Sequence, residues 1–208
     1  MGWGLVAENE IRAVAGVVLA AGESRRMNCP KLLLPWNDDT VLGCTLANAM
    51  AGHVKPLTVI CGAEAEAIAA QAAAKGLSWL LNENYALGQS TSLICGLKAV
   101  PPGYGVMFIL GDMPVVLPAS YRELAAAYRE SGALIVAPVN SAGQRGNPTV
   151  WSPEVFSELE GLSGDNGARE LLEQYRQQTL LLPLNDPGLY TDIDTPEDYR
   201  RGGKICEC

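Results

Sequence analysis

Three polar stretches hold the residue types that can do chemistry on phosphates. Leu19-Ala20-Ala21-Gly22-Glu23-Ser24-Arg25-Arg26-Met27 leaves an apolar run and is followed by Lys31, so three cations fall within seven positions. Small residues let the backbone approach a ligand, and Gly22 permits a left-handed turn. Successive N–H groups in such a turn form an anion nest, which Arg25, Arg26 and Lys31 can complete. An ordinary strand-to-helix connection with a solvated basic edge has the same local pattern. The loop is not a Walker A, because Glu follows Gly22, and it lacks Gly-x-Gly-x-x-Gly.

The second stretch, Gly111-Asp112-Met113-Pro114, ends the run Val106–Leu110 and delivers one carboxylate to a strand end before Pro114 turns the chain. Asp112 either caps that turn or binds Mg2+, which takes one or two carboxylates and fills its other positions with phosphate and water. In the third stretch, Tyr190 to Asp198, the alternation Asp192/Ile193/Asp194 predicts a strand end with both carboxylates on one face. Thr195, Pro196 and Asp198 predict a helix start with a capping box. Glu197 and Asp198 then serve the helix dipole, which leaves Asp192 and Asp194 as metal or substrate candidates.

Other polar segments are more ambiguous. Asn82 to Ser92 is a loop hinged at Gly88 that opens a helix, and its hydroxyls suit capping. Asn82, at a strand end, can offer its amide to a base. Gly146-Asn147-Pro148 after Arg145 predicts a turn. Gly164-Asp165-Asn166-Gly167-Ala168-Arg169 predicts an N-cap at Asp165, with Arg169 pairing back to it.

The apolar pattern predicts the elements that place these stretches. Short runs bounded by Gly, Pro or Asn predict strands at Val14–Ala20, Leu57–Cys61, Trp79–Leu81, Val106–Leu110, Leu134–Pro138 and Leu180–Leu184. Apolar faces at helical spacing predict helices over Val41–Met50, Ala63–Lys75, Ser90–Ala99, Pro118–Ser131 and Ala168–Gln177. Their alternation predicts an α/β fold of three layers, α/β/α, on a mostly parallel, Rossmann-like sheet. Asn140–Pro153 and Leu184–Tyr190, rich in Gly, Asn and Pro, are expected as excursions at the sheet edge. Ligands of such folds bind outside the carboxyl ends of the strands.

The 208-residue chain carries a net charge of −8. Nucleic-acid binding, which needs a basic face, is therefore not expected. Phosphates must be held locally, by backbone N–H groups, a few cations and a metal. No apolar run reaches the length of a membrane span, and Glu8, Glu10 and Arg12 precede the first apolar run, unlike a signal peptide. One histidine, and six cysteines with no C-x-x-C pair, argue against zinc. Cys61 and Cys95 read as buried thiols, and Cys206 and Cys208 as tail residues, which suits a cytoplasmic location.

Taken in order, these motifs resemble the nucleotidyltransferases of the molybdenum cofactor family. The loop from Leu19 through Lys31 is similar to that family's signature loop, and Gly-Asp-Met-Pro at 111–114 to its metal motif. Gly88-x-x-x-Ser92 resembles its element near the base and phosphates. Gly146-Asn147-Pro148 and Gly164-Asp165-x-Gly167-Ala168-Arg169 resemble motifs lining the acceptor side, and Asp192 to Asp198 resembles its closing segment. The chain departs at Asn28, where the family commonly has Gly, although Asn tolerates positive φ.

The resemblance implies a fold of the nucleotide-diphospho-sugar transferase type over residues 13–202. The part to about residue 115 would bind nucleotide and the remainder face an acceptor, with 1–12 as an extension and 203–208 as a tail. It implies a nucleotide site of Leu19, Ala20, Ala21, Gly22, Ser24, Arg25, Arg26, Lys31, Asn82, Gly88, Ser92 and Gly111. Mg2+ would sit on Asp112 and Asp194, and the acceptor on Asn147, Asp165, Arg169 and Asp192, with Arg26, Lys31 and Asp112 catalytic. Ala20-Ala21 resembles the branch that uses CTP rather than GTP. The implied reaction moves CMP from CTP to the terminal phosphate of Mo-molybdopterin, releasing pyrophosphate, and the product would serve a molybdenum hydroxylase. Rival expectations are the same chemistry on a sugar, polyol or amino-alcohol phosphate or with GTP, and a non-catalytic cofactor carrier, whose metal site would be damaged.

Overall fold

The computed structural model describes residues 12–164 and 168–202. Strand β1 (Val14–Ala20) is followed by a hairpin of β2 (Pro35–Trp36) and β3 (Asp39–Thr40), then α1 (Val41–Ala51), β4 (Leu57–Cys61), α2 (Ala65–Ala74), β5 (Ser78–Leu81), α3 (Gln89–Leu97) and β6 (Gly105–Leu110). The chain continues through α4 (Pro118–Ser131), β7 (Ile135–Val139), β8 (Thr149–Trp151), α5 (Phe156–Glu160), α6 (Arg169–Gln174), β9 (Thr179–Pro183) and α7 (Pro196–Gly202). Seven strands form the main sheet in the order β5-β4-β1-β6-β8-β7-β9. Every pair is parallel except those of β8, which runs antiparallel to both β6 and β7.

The three-layer arrangement follows from which faces are apolar. Val14, Val18 and Ala20 of β1 pack with buried residues of α1, α2 and α4. Val17 of β1 and Phe108 of β6 pack on the other face with residues of α3, α5 and α6. Alternation along β1 thus feeds two cores from one strand.

Sequence and structure differ in several places, and α5 is not among the expected helices. Asn140–Pro153 is not an excursion at the edge: it carries β8 inside the sheet, with Val150 and Trp151 wholly buried. Three residues are too few to display a period, and the Gly and Pro around them read as loop. Asp192-Ile193-Asp194 is irregular chain rather than a strand end. The Ile193 N–H donates to the Asp112 carbonyl at 3.1 Å and ties the segment to the exit of β6, while Ile193 itself is buried. The β2–β3 hairpin, turning through Asn37 at φ 51°, had no apolar pattern to announce it.

Between β9 and α7 the chain is fastened beneath the start of α4. The buried Asp186 carboxylate accepts from the Leu117 N–H at 2.9 Å, the Ser120 hydroxyl at 2.6 Å and the Gly188 N–H at 2.9 Å. The expected capping box opens α7: the Thr195 N–H donates to Asp198 at 2.9 Å and the Asp198 N–H returns to Thr195 Oγ1 at 3.2 Å.

Candidate active site

The exits of β1, β4 and β6 lie side by side and brace one another. The Gly111 N–H donates to the Leu19 carbonyl at 3.0 Å, and the Ala63 N–H to that of Ala21 at 3.1 Å. Gly62 lies so close behind the loop that a Cβ there would stand 2.5 Å from the Ala21 carbonyl oxygen and 2.8 Å from its Cα. Gly62→Ala must therefore push the loop forward. It is expected to raise the KM for nucleotide about tenfold, an effect of about 1.4 kcal/mol, with the fold kept; steady-state kinetics at varied nucleotide would check this.

Beyond Gly22 the loop turns left-handed at Ser24 and Asn28, both at φ 53°. Asn28 therefore supplies the conformation that a glycine would. Ser24 Oγ accepts the Lys31 N–H at 3.3 Å, which anchors the short turn Lys31–Leu33 under the loop. Lys31 Nζ lies 2.5 Å from Asp112 Oδ2 and 2.9 Å from Asp194 Oδ1, and Arg26 lies 2.7 Å from Asp194 Oδ2. Arg25 pairs instead with Glu23 at 2.6 Å.

Desolvation opposes charge on Lys31, but the Asp112 and Asp194 carboxylates outweigh it and hold the ammonium above the usual lysine range. Desolvation likewise opposes charge on Asp194, and Lys31 and Arg26 still keep its carboxyl below the usual range. Asp192 carries the reverse sign. Lost solvent, then the neighbouring Asp194 and Asp112 charges, push its carboxyl up.

Two side chains of α1, not singled out from sequence, hold Asp112 in place. Thr45, wholly buried, shares its hydroxyl proton between the Gly111 and Val41 carbonyls, each at 3.1 Å, and Asn48 Nδ2 donates to the carbonyl of Pro114 at 2.9 Å. They sit at i and i+3 on one helix face, and that spacing was the available signal. Thr45→Val keeps the shape and strands the carbonyl, so it is expected to lower the unfolding free energy by about 1–3 kcal/mol in urea titration.

Two clefts meet at this cluster. The first, about 370 Å³, is lined by Leu19, Ala21, Gly22, Ser24, Arg25, Arg26, Lys31, Gly88, Ser92, Asp112 and Asp194, all singled out from sequence. Glu23, Tyr85 and Gln89 join them without having been expected. The second, about 660 Å³, brings together Asn147, Arg169 and Asp192 with Arg145, Thr149 and the apolar Leu93, Phe108 and Trp151. Leu19, Arg26, Gln89, Leu110, Asp112 and Asp194 border both.

Ala20 and Gly111 are buried behind the wall of the first cleft and do not line it. The Asn82 amide is also turned away. It donates to Thr91 Oγ1 at 2.9 Å and Ser92 Oγ at 3.0 Å, and accepts the Asn84 N–H at 3.0 Å. Asn82 thus positions Ser92, which does line the cleft. Asp165 lies outside the described residues. His53, the chain's one histidine, is exposed after α1 and borders neither cleft.

Asp112 Oδ1 is buried without a hydrogen-bond partner, which suits a hard cation better than a turn cap. Among the described residues no three His, Cys, Asp or Glu side chains gather as a metal cage. A cation here would hold two carboxylates and need oxygens from elsewhere. Among the described residues no helix is long and apolar enough to cross a membrane.

The MobA-like NTP transferase domain model matches residues 16–179. The chain is 32% identical to the purine catabolism protein PucB of Bacillus subtilis, over 88% of this chain and 93% of that one. It is 28% identical to the nicotine blue oxidoreductase of Paenarthrobacter nicotinovorans, over 93% and 98%. The molybdenum cofactor cytidylyltransferase of Escherichia coli is 26% identical, over 90% and 94%. Among solved structures, the manganese complex of Rv0371c from Mycobacterium tuberculosis is 34% identical with a TM-score of 0.76, over 91% of this chain and 96% of that one.

Proposed function

Because the chain belongs to the MobA-like NTP transferase family, we propose that it transfers CMP from CTP to the terminal phosphate of Mo-molybdopterin, forming the cytosine dinucleotide and pyrophosphate. The observation that carries this reading is the meeting of two clefts at Asp112, Asp194 and Arg26. One cleft suits a triphosphate and the other an acceptor, and the charged cluster lies at their seam. CTP is favoured by the Ala20-Ala21 pair and by the cytidylyltransferase relative.

Asp112 and Asp194 would hold a divalent metal, Mg2+ in this reading. The donor set fits: two carboxylates, one with a buried unpartnered oxygen, and the Rv0371c neighbour is a manganese complex. Bound there, the metal supplies Lewis-acid neutralisation of phosphate charge.

The chain's own residues do the positioning. The loop from Gly22 to Arg26 wraps the triphosphate, with Arg26 and Lys31 meeting its charge. Gly88 and Ser92 line the same cleft and would border the nucleotide. Asn147, Arg169 and Asp192 face the acceptor, whose phosphate oxygen attacks the α-phosphorus in line as pyrophosphate leaves. A phosphate monoester is already largely ionised at neutral pH, so the site needs no histidine as general base. A molybdenum hydroxylase would receive the product.

Pyrophosphate release measured with CTP, GTP and ATP against Mo-molybdopterin and against sugar, polyol and amino-alcohol phosphates tests the proposal. CTP with Mo-molybdopterin is expected to give the highest kcat/KM. Turnover on a sugar phosphate, with none on Mo-molybdopterin, would overturn the acceptor and leave the chemistry standing.

A further inference from the structure

We infer that Lys31 is an internal counter-ion for the metal site, so that the protein binds a divalent cation weakly alone and tightly together with its nucleotide. The inference rests on the metal-dependent transfer proposed above, and goes beyond it by fixing how the two ligands depend on each other.

Lys31 Nζ bridges Asp112 and Asp194, and Arg26 takes the other oxygen of Asp194. Two carboxylates and two cations joined by direct contacts form a neutral cluster. Asp112 Oδ1 is open to an ion, but both oxygens of Asp194 are taken, so a bare divalent ion held by both carboxylates must compete with Lys31 or Arg26 there and would add two positive charges to the cluster. The Lys31 and Asp112 side chains are only 14% and 15% exposed, so water screens that excess poorly. A triphosphate brings about four negative charges at neutral pH, which give the displaced ammonium and the metal a common partner.

The backbone suits such an exchange. Lys31 is held by its N–H on Ser24 Oγ and by its carbonyl, which accepts the Leu34 N–H at 3.2 Å. The four-carbon stem can therefore swing from the carboxylates to the phosphates, both bordering the same cleft, without moving the loop. Until then Lys31 keeps two like charges side by side.

Mn2+ binding, followed by electron paramagnetic resonance, tests this with and without α,β-methylene-CTP, which cannot be turned over. Wild-type protein is expected to bind bare Mn2+ weakly and to tighten about tenfold or more with the analogue. Lys31→Met and Lys31→Gln, which leave the carboxylates with Arg26 alone, are expected to bind bare Mn2+ about tenfold more tightly than wild type and to lose most of the coupling. Equal bare-Mn2+ affinity in wild type and both variants would overturn the inference, as would a wild-type affinity indifferent to the analogue. Should no Mn2+ bind to any of the three proteins even with the analogue, the metal-dependent reading itself falls.

Discussion

Asn in place of Asp112 is expected to lower nucleotidyl transfer roughly a thousandfold, with the fold intact. The amide keeps the shape of the carboxylate and removes its charge. Lys31 then retains only Asp194, and the buried oxygen that a cation would claim no longer carries charge. A metal contributes several kcal/mol of charge neutralisation, and about 4 kcal/mol corresponds to a thousandfold in rate. Pyrophosphate release at saturating metal and nucleotide reads the rate, and far-ultraviolet circular dichroism reads the fold. A variant within a factor of a few of wild type would remove Asp112 from the metal site.

The largest expected effect on stability belongs to Trp151. Its ring is wholly buried in β8 among Ile135, Val155 and Leu159, and its indole N–H donates to Thr149 Oγ1 at 2.8 Å. Trp151→Ala is expected to cost about 3–5 kcal/mol, read as a fall in the urea midpoint. Trp151→Phe, which keeps most of the volume, should cost less. Because the residue also borders the second cleft, the alanine variant should bind the proposed acceptor poorly even where it remains folded. A loss under about 1 kcal/mol would mean that the neighbours collapse into the space.

The parts of this molecule that were legible in its sequence are those where one residue type has one physical meaning. The run Val14–Ala20 reads as a buried strand, and Thr195 with Asp198 reads as a helix start, because apolar runs and capping residues act locally. Other features depend on partners far along the chain. Thr45 and Asn48 look like ordinary polar positions of α1 until the carbonyls of Gly111 and Pro114 arrive above them. Asn82 has the chemistry to read a base, and only the nearness of Thr91 and Ser92 shows that its donors are already taken. Asp192 and Asp194 alternate as in a strand because Ile193 must turn inward between them, and no ladder forms around the Ile193 bond to the Asp112 carbonyl. The Lys31 bridge joins residues 81 and 163 positions apart, a span over which no local pattern extends.

The place of β8 has a consequence for how this protein can be divided. The strands on the side of the first cleft, β5, β4, β1 and β6, are contiguous in the sheet and all precede residue 115, although Asp194 of that cleft does not. They would make a tempting fragment for expression. Their inner border, however, is β6, whose Val106, Met107, Phe108 and Ile109 are at most 4% exposed and whose open side is paired by β8. Cutting the chain after β6 would leave a bare apolar strand with unsatisfied N–H and carbonyl groups, a template for intermolecular pairing. Such a fragment should collect in inclusion bodies rather than bind nucleotide, which makes the second half of the chain an intramolecular guard against aggregation of the first.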